Sequence, residues 1–268
     1  MSAILPTTPE TISRLLDTSF RLYFRTLKVC FLIGLIPALL QALPYVMLPV
    51  LSTGNPDDIA WTALAIGGLG AVLVAILVAL VWYAAMIDYI GMTGRGYEQT
   101  IGQSLWRGFR RLPRTIGGAF LVGVAMVVGL LALLVGAVYV VIVFYFFMYA
   151  MMLEGSGVIA SLKRSFNLVK GNFWRVSVIL LVPFAIQMAL SGVVSMVMMG
   201  FMLVPLLAGG EAPSDSAVLE MQIGMQLLNA PITALAMPMW IAVGVTMFND
   251  LVVRAEGGDL LARIDASA

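Results

Sequence analysis

Hydrophobic and polar positions divide this chain into long apolar runs separated by short basic segments with a helical rhythm. The runs are Val29–Leu51, about Trp61–Ile90, Thr115–Leu153, about Phe173–Pro205 and about Leu219–Asn249. A membrane-crossing helix needs roughly 20 mostly apolar residues. Thr115–Leu153 holds 39 residues and no charge. As one straight helix it would extend about 58 Å, nearly twice the hydrocarbon thickness of a bilayer. Two crossings joined by a tight turn near Gly136 fit better, which makes about six spans.

The intervening segments carry a different pattern. In 12–28, Ile12, Leu15, Leu16, Tyr23, Phe24 and Leu27 recur at helical spacing, opposite Arg14, Asp17, Arg21, Arg25 and Lys28. In 97–112, Ile101, Leu105, Phe109 and Leu112 stand against Arg107, Arg110 and Arg111; in 158–170, Ile159, Leu162, Phe166 and Val169 stand against Lys163, Arg164 and Lys170. Basic amphipathic helices of this kind suit a headgroup layer. Each precedes a pair of spans. Ser19-Phe20-Arg21-Leu22, Gly108-Phe109-Arg110-Arg111 and Ser165-Phe166-Asn167-Leu168 fall at matching places. The positions suggest three copies of one helix-plus-hairpin unit. The expected fold is an all-α integral membrane protein with basic interfacial helices, forming a single polytopic domain over 1–268: an interfacial helix in 1–28, a six-span bundle in 29–250 and a tail in 251–268.

Charge supports the even count. With the termini together, residues 1–28, 91–114, 154–172 and 250–268 share one side and hold 14 of the 15 Lys and Arg residues, and Arg175 lies within a turn of that face. The opposite loops carry Asp57, Asp58, Glu211 and Asp215 and no basic residue. The positive-inside rule makes the basic side cytoplasmic, which predicts a bacterial inner-membrane protein with both termini in the cytoplasm. Composition agrees: 61% of residues are hydrophobic and 11% charged, against about 25% charged in soluble domains.

The same composition narrows the chemistry. There is no histidine and only one cysteine, Cys30, so the commonest general base, the commonest metal ligand and any internal disulfide are excluded. Four methionines, Met196, Met198, Met199 and Met202, lack the Cys or His partners a soft-metal site would share with them. A net charge of +1 gives no bulk attraction to nucleic acid. No nucleotide-binding or hydrolase signature is present. The expectation is a protein that is not an enzyme, takes no cofactor or metal, and has the bilayer, with its anionic headgroups, as partner. A protein partner or a second copy of the chain stays open.

Three sets of residues stand out. Arg107, Arg110, Arg111 and Lys163 are candidate headgroup ligands on the interfacial helices. Gln187, Ser191 and Ser195, with Gln222, Gln226 and Asn229, form polar rows on spans five and six. If the two rows met, they would give either interhelical hydrogen bonds or a polar path for a small permease. Asp88, Glu154 and Asp250 lie at span ends, near Arg164 and Arg254. A small residue recurs every fourth position in span two, at Ala63, Gly67, Ala71, Ala75 and Ala79, and is expected to pack closely against another span.

Two stretches resemble a bacterial family, the membrane domain found with some glycerophosphoryl diester phosphodiesterases and its free-standing relatives of YciC type. The first runs from Glu154-Gly155 through Arg164-Ser165 and Lys170-Gly171 to Phe173-Trp174-Arg175; the second is Asp250-Leu251, Arg254, Glu256-Gly257 and Asp259. Val252 stands where that family usually has Arg. The resemblance singles out Glu154, Arg164, Ser165, Gly171, Asp250, Arg254, Glu256 and Asp259. It implies no catalysis, because the phosphodiesterase chemistry belongs to a separate soluble barrel.

Overall fold

The computed structural model describes residues 4–44, 59–131, 133–207 and 214–267, and every element among them is helical. In chain order these are α1 (Ile12–Leu40), α2 (Ile59–Gly94), α3 (Ile101–Leu131), α4 (Leu133–Phe144), the single turn α5 (Phe147–Tyr149) continued by a π-helical turn (Ala150–Glu154), α6 (Val158–Lys170), α7 (Phe173–Leu207) and α8 (Asp215–Ser267). Six stretches among the described residues are long and apolar enough to cross a bilayer: Ile12–Leu40, Leu64–Gly94, Ile101–Leu131, Val135–Glu154, Phe173–Gly200 and Ala217–Gly257. Large apolar side chains on them point outward; Leu131 is 83% exposed and Val135 79%. Lipid is the solvent that makes such a surface stable.

Two of the three amphipathic segments are not separate helices. Residues 12–28 continue without a break into span one as α1, and residues 101–112 continue into span three as α3. Only the third, α6, ends before its span, at Gly171 and Asn172. The tail beyond Asp250 is likewise helical and continuous with span six. Gly136, the expected turn, is helical and lies inside α4. A Cβ on Gly129 would stand 2.9 Å from the carbonyl oxygen of Gly136. These glycines serve the close approach of α3 and α4, a use of glycine that a sequence cannot separate from a turn.

The chain divides into two compact units, one comprising residues 1–28, 80–183 and 238–268, the other residues 29–79 and 184–237. In the first, the interfacial helices begin at Ile12, Ile101 and Val158 and share one register. Seven residues on, Ser19, Gly108 and Ser165 are all buried. Each touches a different span. Ser19 Oγ hydrogen-bonds Thr246 Oγ1 at 2.5 Å, on span six. Gly108 lies so close to span two that a Cβ would stand 2.8 Å from the Val81 carbonyl oxygen. Ser165 donates to the Val143 carbonyl at 2.6 Å and accepts from the Phe146 N–H at 3.2 Å, on span four.

Seven residues further, Thr26, Thr115 and Asn172 each donate back to a carbonyl one turn earlier, at Leu22, Arg111 and Leu168. The repeat thus has a geometric counterpart. The second and third helices rest on the even span preceding them, and the first closes the cycle on span six. The even spans supply the core of this unit: Ala84–Ile87, Phe146–Met152 and Ile241–Phe248 are buried throughout. Tyr149 stacks on Phe248 and hydrogen-bonds Tyr145 Oη, which donates to the Trp240 carbonyl at 3.1 Å.

In the second unit, Ala38, Ala230 and Ala234 form a buried cluster with Phe31 and Leu35 packed on it. Small side chains let α1 and α8 approach closely there. The expected small-residue face of span two is only partly used. Ala75 is buried, but Gly67 and Ala71 are exposed, and a Cβ on Gly67 would meet nothing within 4 Å. A four-residue step overshoots a turn by about 40°, so a row of five drifts around the helix and cannot all face one neighbour.

Candidate functional site

Polar chemistry in the first unit gathers where the even spans end and the interfacial helices begin. On span two, the carboxylate of Asp88 is buried. It accepts a hydrogen bond from Gln99 Nε2, whose amide also reaches Ser104. Arg107 lies 3.3 Å from the same carboxylate and donates to Gln99 Oε1 at 2.9 Å.

On span four the chain ends in the π-helical turn, and Gly155 follows with φ +73°. That left-handed conformation suits a residue without a Cβ. Carbonyls at a helix C-terminus lack intrahelical donors. Arg111 supplies them, donating to the Met151 and Met152 carbonyls at 2.9 and 2.7 Å. Beside it, Arg164 joins Glu154 at 3.0 Å and Glu256 at 3.2 Å. Partial burial works against the Arg164 charge, but the hydrogen bonds and charges of the two glutamates prevail and raise its pKa.

Span six carries the most buried of these groups. Asp250 is fully buried and accepts from the Glu10 N–H at 2.8 Å, from Arg254 Nε at 2.8 Å and from Arg175 at 3.1 Å. Both guanidiniums also donate to the Glu10 carbonyl at 2.6 Å. Asn249 donates to the Pro6 carbonyl at 2.7 Å, and the Ile4 and Leu5 N–H groups reach the Gly94 carbonyl. The segment preceding α1 is thereby laced to the ends of spans two and six. Three donors thus satisfy the Asp250 carboxylate in a place without water, and charge-assisted bonds of this kind are the strong ones.

The residues singled out by resemblance separate accordingly. Glu154, Arg164 and Glu256 meet in one ion-pair group; Asp250 and Arg254 meet in another. Ser165 holds the break between α4 and α5. Gly171 caps α6 at φ −91° with open space around it, so nothing there demands glycine. The side chain of Asp259 lies outside the described residues, as do Asp57, Asp58 and Glu211. Glu10 and Arg175 were not among the expected site residues. Arg175 had one sequence signal: it is the only basic residue inside an expected span.

The candidate headgroup ligands also divide. Arg107 and Arg111 are engaged as described, whereas Arg110 and Lys163 are exposed and without an ion pair among the described residues. Trp106 and Phe109, at 66% and 55% exposure, stack beside Arg110 with ring centroids 6.0 Å apart. Phe24 and Trp174 are exposed, as are Arg25 and Lys170. Phe24 and Phe109, expected on the apolar faces of their amphipathic segments, are exposed. The polar rows of spans five and six are not joined by any hydrogen bond among the described residues. Gln187 donates to Ser191, Ser195 to the Ser191 carbonyl and Asn229 to the Met225 carbonyl, each within its own helix, and Gln222 is exposed.

The family described as a domain of unknown function, DUF7847, matches residues 101–253. That range runs from the first turn of α3 to just beyond Asp250. No curated protein matches the chain, and no solved structure does.

Proposed function

The chain belongs to the DUF7847 family, and from that premise we propose a non-catalytic multi-pass protein of the bacterial cytoplasmic membrane that binds and organises anionic lipid. Both termini lie in the cytoplasm, and the membrane domain of glycerophosphoryl diester phosphodiesterases is a relative.

The observation that carries the reading is the division of the basic residues. Arg107, Arg111, Arg164, Arg175 and Arg254 are consumed by carboxylates and helix ends. Arg25, Arg110, Arg114, Lys163 and Lys170 are exposed, and the same interfacial segments carry the exposed rings Phe24, Trp106 and Phe109. Aromatic side chains favour the headgroup level, and each nearby cation contributes about 1 kcal/mol toward an anionic surface. A chain without histidine lacks the commonest general base, and the buried carboxylates Asp88 and Asp250 are tied to cations. A transport role along spans five and six would need their polar rows to face a common path, and no hydrogen bond joins the two rows among the described residues.

The test is lipid enrichment around the full chain reconstituted in mixed phosphatidylglycerol and phosphatidylcholine bilayers. The unmodified chain should co-purify with an excess of phosphatidylglycerol that salt reduces. Replacing Arg110, Arg114 and Lys163 together by Gln should remove most of that excess. Equal enrichment in the triple variant would refute the reading.

A further inference from the structure

The second unit holds a cavity of about 450 Å³ lined by Pro37, Gln41, Val72, Ala75, Ala79 and Gln226, among others. Most of its wall is apolar. Gln41 and Gln226 bring the two carboxamides, and neither side chain has a hydrogen-bond partner among the described residues. An amide without a partner is costly toward the apolar part of a bilayer, so a mostly apolar wall carrying these two carboxamides suits an occupant that brings acceptors.

We propose that this cavity binds a diacyl phospholipid through its glycerol-ester carbonyls, in the leaflet opposite the termini. Gln41 directly follows α1, and Gln226 lies in the first third of α8, so both stand toward the ends of their spans that face the loops opposite the termini. Ester carbonyls occupy that depth in a bilayer. They accept hydrogen bonds and donate none, which matches the two N–H donors of each carboxamide. One acyl chain then runs along Val72, Ala75 and Ala79, where small side chains open the wall. A helix from a second copy would offer mainly carbonyls already engaged once along its axis, whereas an ester offers carbonyls with no other donor. This site is uncharged and distinct from the basic interfacial surface.

The experiment compares retention of two lipids by the purified full chain through detergent washing, read by native mass spectrometry. One is a diester phosphatidylethanolamine; the other is its diether analogue, with the same headgroup and chains but no carbonyls. The unmodified chain should retain the diester about tenfold better. The paired substitution Gln41→Leu and Gln226→Leu should remove the preference, and Ala79→Phe should expel the lipid while leaving both amides in place. Equal retention of diester and diether by the unmodified chain overturns the proposal without any variant having to fold. A preference that survives the paired substitution overturns it as well. The phosphatidylglycerol excess is a separate measurement and moves independently.

Discussion

The Glu10 N–H donates to Asp250 Oδ1 at 2.8 Å across 240 residues of sequence. This bond ties the residues preceding the first helix to the end of the last span. Asp250 has no exposed surface and faces Arg175 and Arg254, so among the described residues its carboxylate is the one acid paired with these two partly withdrawn guanidiniums.

Removing that carboxylate should be among the most damaging single changes. Asp250→Ala leaves Arg175 and Arg254 without their counter-ion, and breaking one side of a buried pair costs about 3–5 kcal/mol. Asp17 pairs with Arg21 at 3.2 Å, but both side chains are exposed, and such pairs contribute little. Thermal unfolding in detergent should separate Asp250→Ala from Asp17→Ala by a large downward shift in the first only. Similar midpoints for the two would refute the anchoring role.

Glycines give a contrast that composition alone cannot. A Cβ at Gly108 would lie 2.8 Å from the Val81 carbonyl oxygen and 3.3 Å from the Ala85 nitrogen, both backbone atoms that cannot rotate away. Gly108→Ala should destabilise by about 1–3 kcal/mol, the usual range for overpacking. Gly67→Ala enters open space and should leave the unfolding midpoint within error. If both variants were equally stable, the close packing of the second interfacial helix on span two would be wrong.

Arg110 and Arg111 are neighbours in sequence with opposite expected behaviour. Arg111→Gln withdraws donors from the Met151 and Met152 carbonyls, and an unsatisfied buried group costs about 1–3 kcal/mol. Stability should fall. Arg110→Gln touches no such contact, so stability should hold while phosphatidylglycerol enrichment declines. Calorimetry and lipid analysis on the same two preparations test both halves, and identical profiles would defeat the distinction.

Why Arg111 escaped the sequence is instructive. Helical spacing places Arg107, Arg110 and Arg111 on one polar face, and nothing local says which guanidinium finds a helix end 40 residues away. The same holds for Glu10, whose backbone rather than its side chain meets Asp250. Longer-range regularities were easier to read. The apolar runs gave the six spans because lipid imposes a length on each. The acids Asp88, Glu154 and Asp250 could be placed at span ends because a carboxylate seldom stays inside hydrocarbon. Ser19, Gly108 and Ser165 could be aligned because a buried small residue recurs in one register. Gln41 gave no periodic signal, and its share in the cavity follows only from the packing of α1.

Sidedness is the remaining arrangement open to direct measurement. All basic segments fall on the side of the termini only if Thr115–Leu153 crosses twice. The close approach of Gly129 to Gly136 agrees, since residues seven apart in one straight helix would stand about 10 Å apart. In a Cys30→Ser background, Arg110→Cys and Lys163→Cys both replace exposed side chains. An impermeant maleimide added to sealed, right-side-out vesicles should label neither, and both should react once the vesicles are opened. A single crossing would instead place position 163 opposite position 110, so one of the two would react from outside. That outcome would leave Arg164 and Arg111 on different faces of the bilayer. The ion pair with Glu154 and the capping of Met151 and Met152 could not then coexist in one folded chain.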